Sequence, residues 1–142
     1  MKFYITGTRR GLGKALFDFL PCVDTLEECD VFINCKHDGF SQVDLLYQAA
    51  ELNKKIINIG SNSSDGIKKR IHKYAVEKAA LDKANEQLFY NGVDTTILRF
   101  GYFNTERVAQ VKDPKMDLDY IVEIILWVLD QPYRVKEMTI TP

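Results

Sequence analysis

The sequence predicts an α/β protein in three layers, a parallel sheet with helices on both faces. Short apolar segments alternate with helical patterns along the chain, which is the signature of strand–helix–strand units. The strand-like segments are short and apolar in the main, as buried parallel strands should be. At 142 residues there is room for one domain and one core, which needs no disulfide or metal to fold.

Residues 2–6 are β-branched and aromatic and stop at Gly7. Residues 12–20 space Leu12, Ala15, Leu16, Phe19 and Leu20 as one helical face, ended by Pro21. Residues 31–33 form a short apolar strand. Ser41 can cap a helix over 41–53 with a broad apolar face. Residues 55–59 are the next strand, halted by Gly60. A long helix covers 71–90, and Asn91-Gly92 stops it. A strand at 95–100, a helix at 118–130 and a strand at 135–141 complete the pattern.

Charge and composition exclude several classes. With 19 Lys and Arg against 20 Asp and Glu, the net charge of −1 lacks the basic excess of a nucleic-acid or polybasic membrane binder. The longest apolar run, Ile124 to Leu129, is too short to span a bilayer. The N-terminus runs directly into a strand, so no signal peptide is read there. Cys22, Cys29 and Cys35 lack C-x-x-C spacing and read as reduced, semi-buried thiols, which places the protein in the cytoplasm. His37 and His72 fall on different elements, so no metal site is expected.

Two motifs carry chemistry. Thr6-Gly7-Thr8-Arg9-Arg10-Gly11-Leu12-Gly13 lies between the first strand and the first helix. Glycines there permit positive φ and close approach, and the helix beyond offers free N–H groups to a pyrophosphate. Asp24 follows near where a dinucleotide fold places the acid for the ribose hydroxyls, and it reads equally as an exposed loop carboxylate. Arg9 and Arg10 pull toward a 2′-phosphate. NAD and NADP both stay open.

The second motif is Tyr74-Ala75-Val76-Glu77-Lys78 within the long helix. Residues four apart share a face, and a cation within about 4–6 Å of a phenol favours the phenolate. Tyr74 is therefore a plausible proton donor and acceptor near neutral pH. Ser61 stands just past the 55–59 strand, thirteen residues before Tyr74, at the strand ends where open α/β sheets bind ligands. It reads either as a partner for that phenol or as a turn or cap residue.

Together these residues resemble the short-chain dehydrogenase/reductase family. The glycine loop matches that family's cofactor loop, and Ser61, Tyr74 and Lys78 match its catalytic serine and YxxxK pair at the usual interval. Ala79-Ala80-Leu81 resembles the sequence after the lysine, and Phe100-Gly101-Tyr102-Phe103-Asn104-Thr105 resembles the PGxxxT segment, with Phe100 in place of proline. The resemblance implies a Rossmann-like domain over residues 1–142 and an NAD or NADP cofactor. Gly7, Thr8, Arg9, Arg10, Gly11, Leu12, Gly13, Asp24, Asn34, Tyr74, Lys78, Gly101 and Thr105 would line its site. It further implies a carbonyl or alcohol substrate, and a homodimer or homotetramer paired through the helices at 41–53 and 71–90.

The chain also departs from that pattern. Only nine residues, 21–29, separate the first helix from the segment leading into Asn34-Cys35-Lys36, the counterpart of the family's NAG motif. A strand–helix–strand unit that walls an adenine pocket does not fit there. A stub strand at 22–24 is expected beside the first strand, giving the order 2-1-3-4-5-6 with a truncated adenine-binding edge. The helix asparagine of the proton relay falls near Gly39 or Phe40, which cannot replace it, and the short run from Thr105 to Asp117 makes any substrate lid small. Two functions follow: an NAD(P)-dependent oxidoreductase, or a non-catalytic scaffold that binds a nucleotide or another protein.

Overall fold

A computed structural model describes residues 1–7, 10–65, 71–103, 105 and 108–142. Five parallel strands form one sheet in chain order: β1 Phe3–Ile5, β2 Val31–Asn34, β3 Lys55–Ser61, β4 Thr95–Phe100 and β5 Glu137–Ile140. Four α-helices connect them: α1 Gly11–Phe19, α2 Ser41–Glu51, α3 Lys73–Tyr90 and α4 Leu118–Leu129. The expected α/β class holds, and from the first strand onward the order is the expected one, without the stub as a sixth strand. The stub at the truncated edge is reduced to a single parallel bridge between Phe3 and Cys22.

Alternation along each strand sorts the side chains onto two faces. Ile5, Ile33, Ile57, Ile59, Leu98 and Phe100 pack beneath α1 and α4, against Leu12, Leu16, Ile121 and Ile125. Phe32, Ile56 and Ile97 pack beneath α2 and α3, against Leu46, Ala49, Leu81 and Ala84. Each fully buried Leu or Ile contributes about 1.5–3 kcal/mol, so both layers are needed to hold the sheet.

Residues 25–29 return to the sheet on the α2/α3 side, where Leu26 and Cys29 are buried. Lys54 Nζ holds this return by donating to Glu27 O at 2.8 Å and Cys29 O at 2.7 Å. Cys22 and Cys35 are half-buried. Burial pushes the Cys29 thiol up, and the nearby Lys54 charge opposes this only in part.

Ser41 does not cap α2. Phe40 takes the cap position and Ser41 is the first helical residue, its N–H bonded to Asp38 O at 3.0 Å. Among the described residues, no helix is long and apolar enough to cross a membrane.

Candidate active site

Ser61 is the last residue of β3 rather than the first beyond it. Its Oγ lies 2.8 Å from Ser63 Oγ and accepts the Ser63 N–H at 3.1 Å, so it turns the chain into a short 3₁₀ helix, Asn62–Asp65. The turn role left open by the sequence is therefore one that Ser61 fills. Arg99 on β4 fixes this turn from below. Its Nη2 donates to Ser64 Oγ at 3.0 Å and pairs with Asp65, its Nε lies 3.5 Å from Asp82 Oδ2, and its Nη1 donates to Glu137 Oε1 at 2.9 Å. Burial alone would lower the Arg99 pKa, but the surrounding carboxylates more than offset that and raise it. Gly60 makes room chiefly for Ile97 on the same strand as this arginine, because a Cβ there would stand 3.0 Å from Ile97 Cδ1 and 3.4 Å from Arg99 Cγ.

Lys78 is 3% exposed, and its ammonium donates to the Ile59 carbonyl at 3.1 Å, two residues before Ser61. One turn earlier on α3 the Tyr74 ring centre lies 5.6 Å from Lys78 Nζ. The three expected catalytic residues thus belong to the same end of the sheet, where β3 terminates and α3 begins. The two histidines lie on different elements, as expected, yet both flank the tyrosine. The His37 ring packs edge-on at 4.6 Å and His72 lies tilted at 5.8 Å. His37 Nε2 is in turn 3.6 Å from Glu77 Oε1, a carboxylate buried on α3. Among the described residues, no group of three or more His, Cys, Asp or Glu is arranged to hold a metal.

Sequence reasoning missed Gln42. Its Oε1 accepts from Lys78 Nζ at 2.8 Å, and its Nε2 donates to Asn34 O at 2.8 Å and Ile59 O at 3.1 Å. The polar chain continues as Asn34 Nδ2 donates to Asn58 Oδ1 at 3.0 Å and Asn58 Nδ2 to Thr95 Oγ1 at 3.0 Å. Buried amides are costly unless bonded in this way. The detectable signal was that Gln42, Leu46 and Ala49 form the buried stripe of α2, so a polar side chain stands on an apolar face. Asn34, expected at the cofactor, is fully buried; its Nδ2 and carbonyl are bonded into this chain, while its Oδ1 has no hydrogen-bond partner among the described residues.

The glycine loop opens at Gly7, with φ of 119°, and reaches α1 at Gly11, with φ of 52°. Both values favour glycine over any other residue. Thr6 Oγ1 accepts the N–H groups of Cys35 and Lys36 at 3.1 and 3.3 Å, and Lys36 lies alongside Gly7, 3.5 Å from where a Cβ would stand. A Cβ on Gly11 would come 3.0 Å from Thr105 Cγ2, so the chain brings these two expected cofactor residues together from almost a hundred positions apart. Leu12 and Gly13 are buried in the first turn of α1, while Arg10 is exposed and Gly101 half-buried. Thr8 and Arg9 lie outside the described residues. Asp24 is exposed, two residues beyond the Phe3–Cys22 bridge. Gly7 and Gly11 bracket a helix start, with Thr105 against Gly11 and a buried ammonium where β3 ends, a lining that would fit the pyrophosphate and nicotinamide side of a dinucleotide.

Similar folds occur among solved structures. A short-chain dehydrogenase from Burkholderia cenocepacia J2315 in complex with NADP superposes with a TM-score of 0.71 at 17% identity, over 98% of this chain and 87% of that one. A 4-hydroxyisoleucine dehydrogenase mutant complexed with NADH and succinate gives 0.75 at 16% identity, over 99% and 97%. An alcohol dehydrogenase from the archaeon Thermococcus sibiricus, complexed with 5-hydroxy-NADP, gives 0.71 at 14% identity, over 98% and 94%. No family model matches the chain, and no curated protein matches it in sequence. The chain has the fold of these short-chain dehydrogenases, and at such identities the likeness is one of fold.

Proposed function

We propose that the chain is an NAD(P)-dependent oxidoreductase of the short-chain type, acting on a small carbonyl or alcohol, with Tyr74 as acid and base. The observation that carries this reading is the buried Lys78 ammonium, bonded to Ile59 O and Gln42 Oε1 and 5.6 Å from the Tyr74 ring centre. A cation so placed favours the phenolate, which lets the phenol release a proton to a carbonyl oxygen near neutral pH. Ser61 would hold that oxygen, and Lys78 would also bind a ribose hydroxyl. Gln42 is the positioning residue that keeps Lys78 aimed, the part the sequence found no asparagine to play. When bound, the nicotinamide nucleotide supplies or accepts the hydride. Gly7 to Gly13, Gly101 and Thr105 would hold it.

A specific observation favours the second reading, a non-catalytic scaffold: the Ser61 hydroxyl already serves Ser63. Calorimetric titration separates the two. The oxidoreductase binds NADH or NADPH, and replacing Tyr74 with phenylalanine abolishes turnover of aldehydes and ketones while binding persists. The scaffold shows no turnover, and where its partner is another protein it binds neither nucleotide. We further propose that α2 and α3 pair across a two-fold axis, supported by the exposed Phe40, Tyr47, Val76 and Tyr90 around these helices. Light scattering at micromolar concentration tests this, and a monomeric mass removes it.

A further inference from the structure

The edge of the sheet beside the glycine loop holds much less than the rest of the site. Beyond β1 the chain makes two backbone bonds, Phe3 N to Pro21 O at 3.0 Å and Val23 N to Phe3 O at 2.8 Å, and then leaves the sheet. Asp24 and Thr25 are exposed. The apolar side chains that follow, Leu26 and Cys29, are buried under the α2/α3 face, and Lys54 ties down the return. Among the described residues, no strand or helix stands beyond Cys22 to flank a purine. A dinucleotide laid across such a sheet places its adenosine half on this side of the loop. Among the described residues, what it would meet on this side of the loop is solvent and the exposed carboxylate Asp24.

The loop itself is equipped for a phosphate. Lys36 runs alongside Gly7, and Arg10 precedes α1, so two exposed cations flank the helix start. Thr105 over Gly11 and the Lys78–Tyr74 pair lie toward the nicotinamide side. On this basis, and resting on the oxidoreductase reading above, we infer that the site recognises the nicotinamide mononucleotide half of its cofactor. The adenosine half stays in solvent and adds little affinity. A nicotinamide ribotide with a terminal phosphate is then as good a ligand as the dinucleotide.

Calorimetric titration of the full chain with reduced nicotinamide mononucleotide and with NADH tests this. The two dissociation constants are expected to agree within about tenfold, and Asp24→Asn is expected to change NADH binding less than about twofold. NADH tighter by more than about tenfold, or a comparable loss in Asp24→Asn, overturns the inference and leaves the oxidoreductase reading standing. Binding of neither nucleotide overturns both.

Discussion

Two hydrogens of the Lys78 ammonium go to neutral oxygens, Gln42 Oε1 and Ile59 O, which hold its charge in place. A cation held beside a phenol favours the phenolate. Gln42→Glu would place a compensating negative charge against it, and the Tyr74 phenol is then expected to titrate at higher pH than in the wild type. Phenolate absorbance, read as the difference from Tyr74→Phe in each background, measures this. An unchanged titration would remove Gln42 from the mechanism. Tyr74→Phe is expected to lower turnover by about 10²–10⁴-fold, the ordinary range for a general acid, with nucleotide affinity nearly unchanged. The sequence showed Ser61, Tyr74 and Lys78 because their spacing is itself a signal. The contacts of Gln42 with Lys78, and of His37 with Glu77, were not legible because they form only through the packing of α2 and the post-β2 loop on α3. Asn34 was visible as a motif residue, but the buried amide chain it joins was not.

At the scale of elements, the α3 stripe explains both what was legible and what was not. Its buried residues are Glu77, Lys78, Leu81, Ala84 and Asn85, correctly spaced for one helical face but polar at both ends. Hydrophobic periodicity finds the helix and misjudges its contents. Leu81, fully buried at the centre of that stripe, is the residue that docks α3 on the sheet. Leu81→Ala is expected to cost about 2–5 kcal/mol in denaturant unfolding, and a cost below 1 kcal/mol would mean that the polar chain alone seats the helix. The Arg99 cluster adds a pH dependence. Burial raises the Asp82 carboxyl above its usual range, outweighing the Ser64 hydrogen bond and the attraction of Arg99. A carboxyl that holds its proton more tightly when folded contributes stability that is complete below the unfolded pKa and lost as pH rises through the folded one. Wild type is therefore expected to lose stability relative to Asp82→Asn as pH rises from about 4 through that transition. A difference that is constant with pH would contradict the assignment.

For the molecule as a whole, the parallel order was legible because continuous apolar strands between helical patterns permit few right-handed arrangements. The truncated edge was legible from nine residues that could not hold a strand and a helix. Where those residues would go was not, since the choice of face depended on Leu26 and Cys29 finding the α2/α3 layer. The same truncation decides what the molecule can hold, with one end of the sheet built around Lys78 and the other ending at Cys22. The most direct measurement is the melting temperature with saturating NADH. At a hundredfold excess over the dissociation constant, binding to the native state contributes about 2.7 kcal/mol, which for a chain of this size shifts the midpoint upward by about 5–10 °C. A shift of that order, lost in Lys78→Met, is the expected result. An unmoved midpoint with NADH, NADPH and reduced nicotinamide mononucleotide alike would contradict the account.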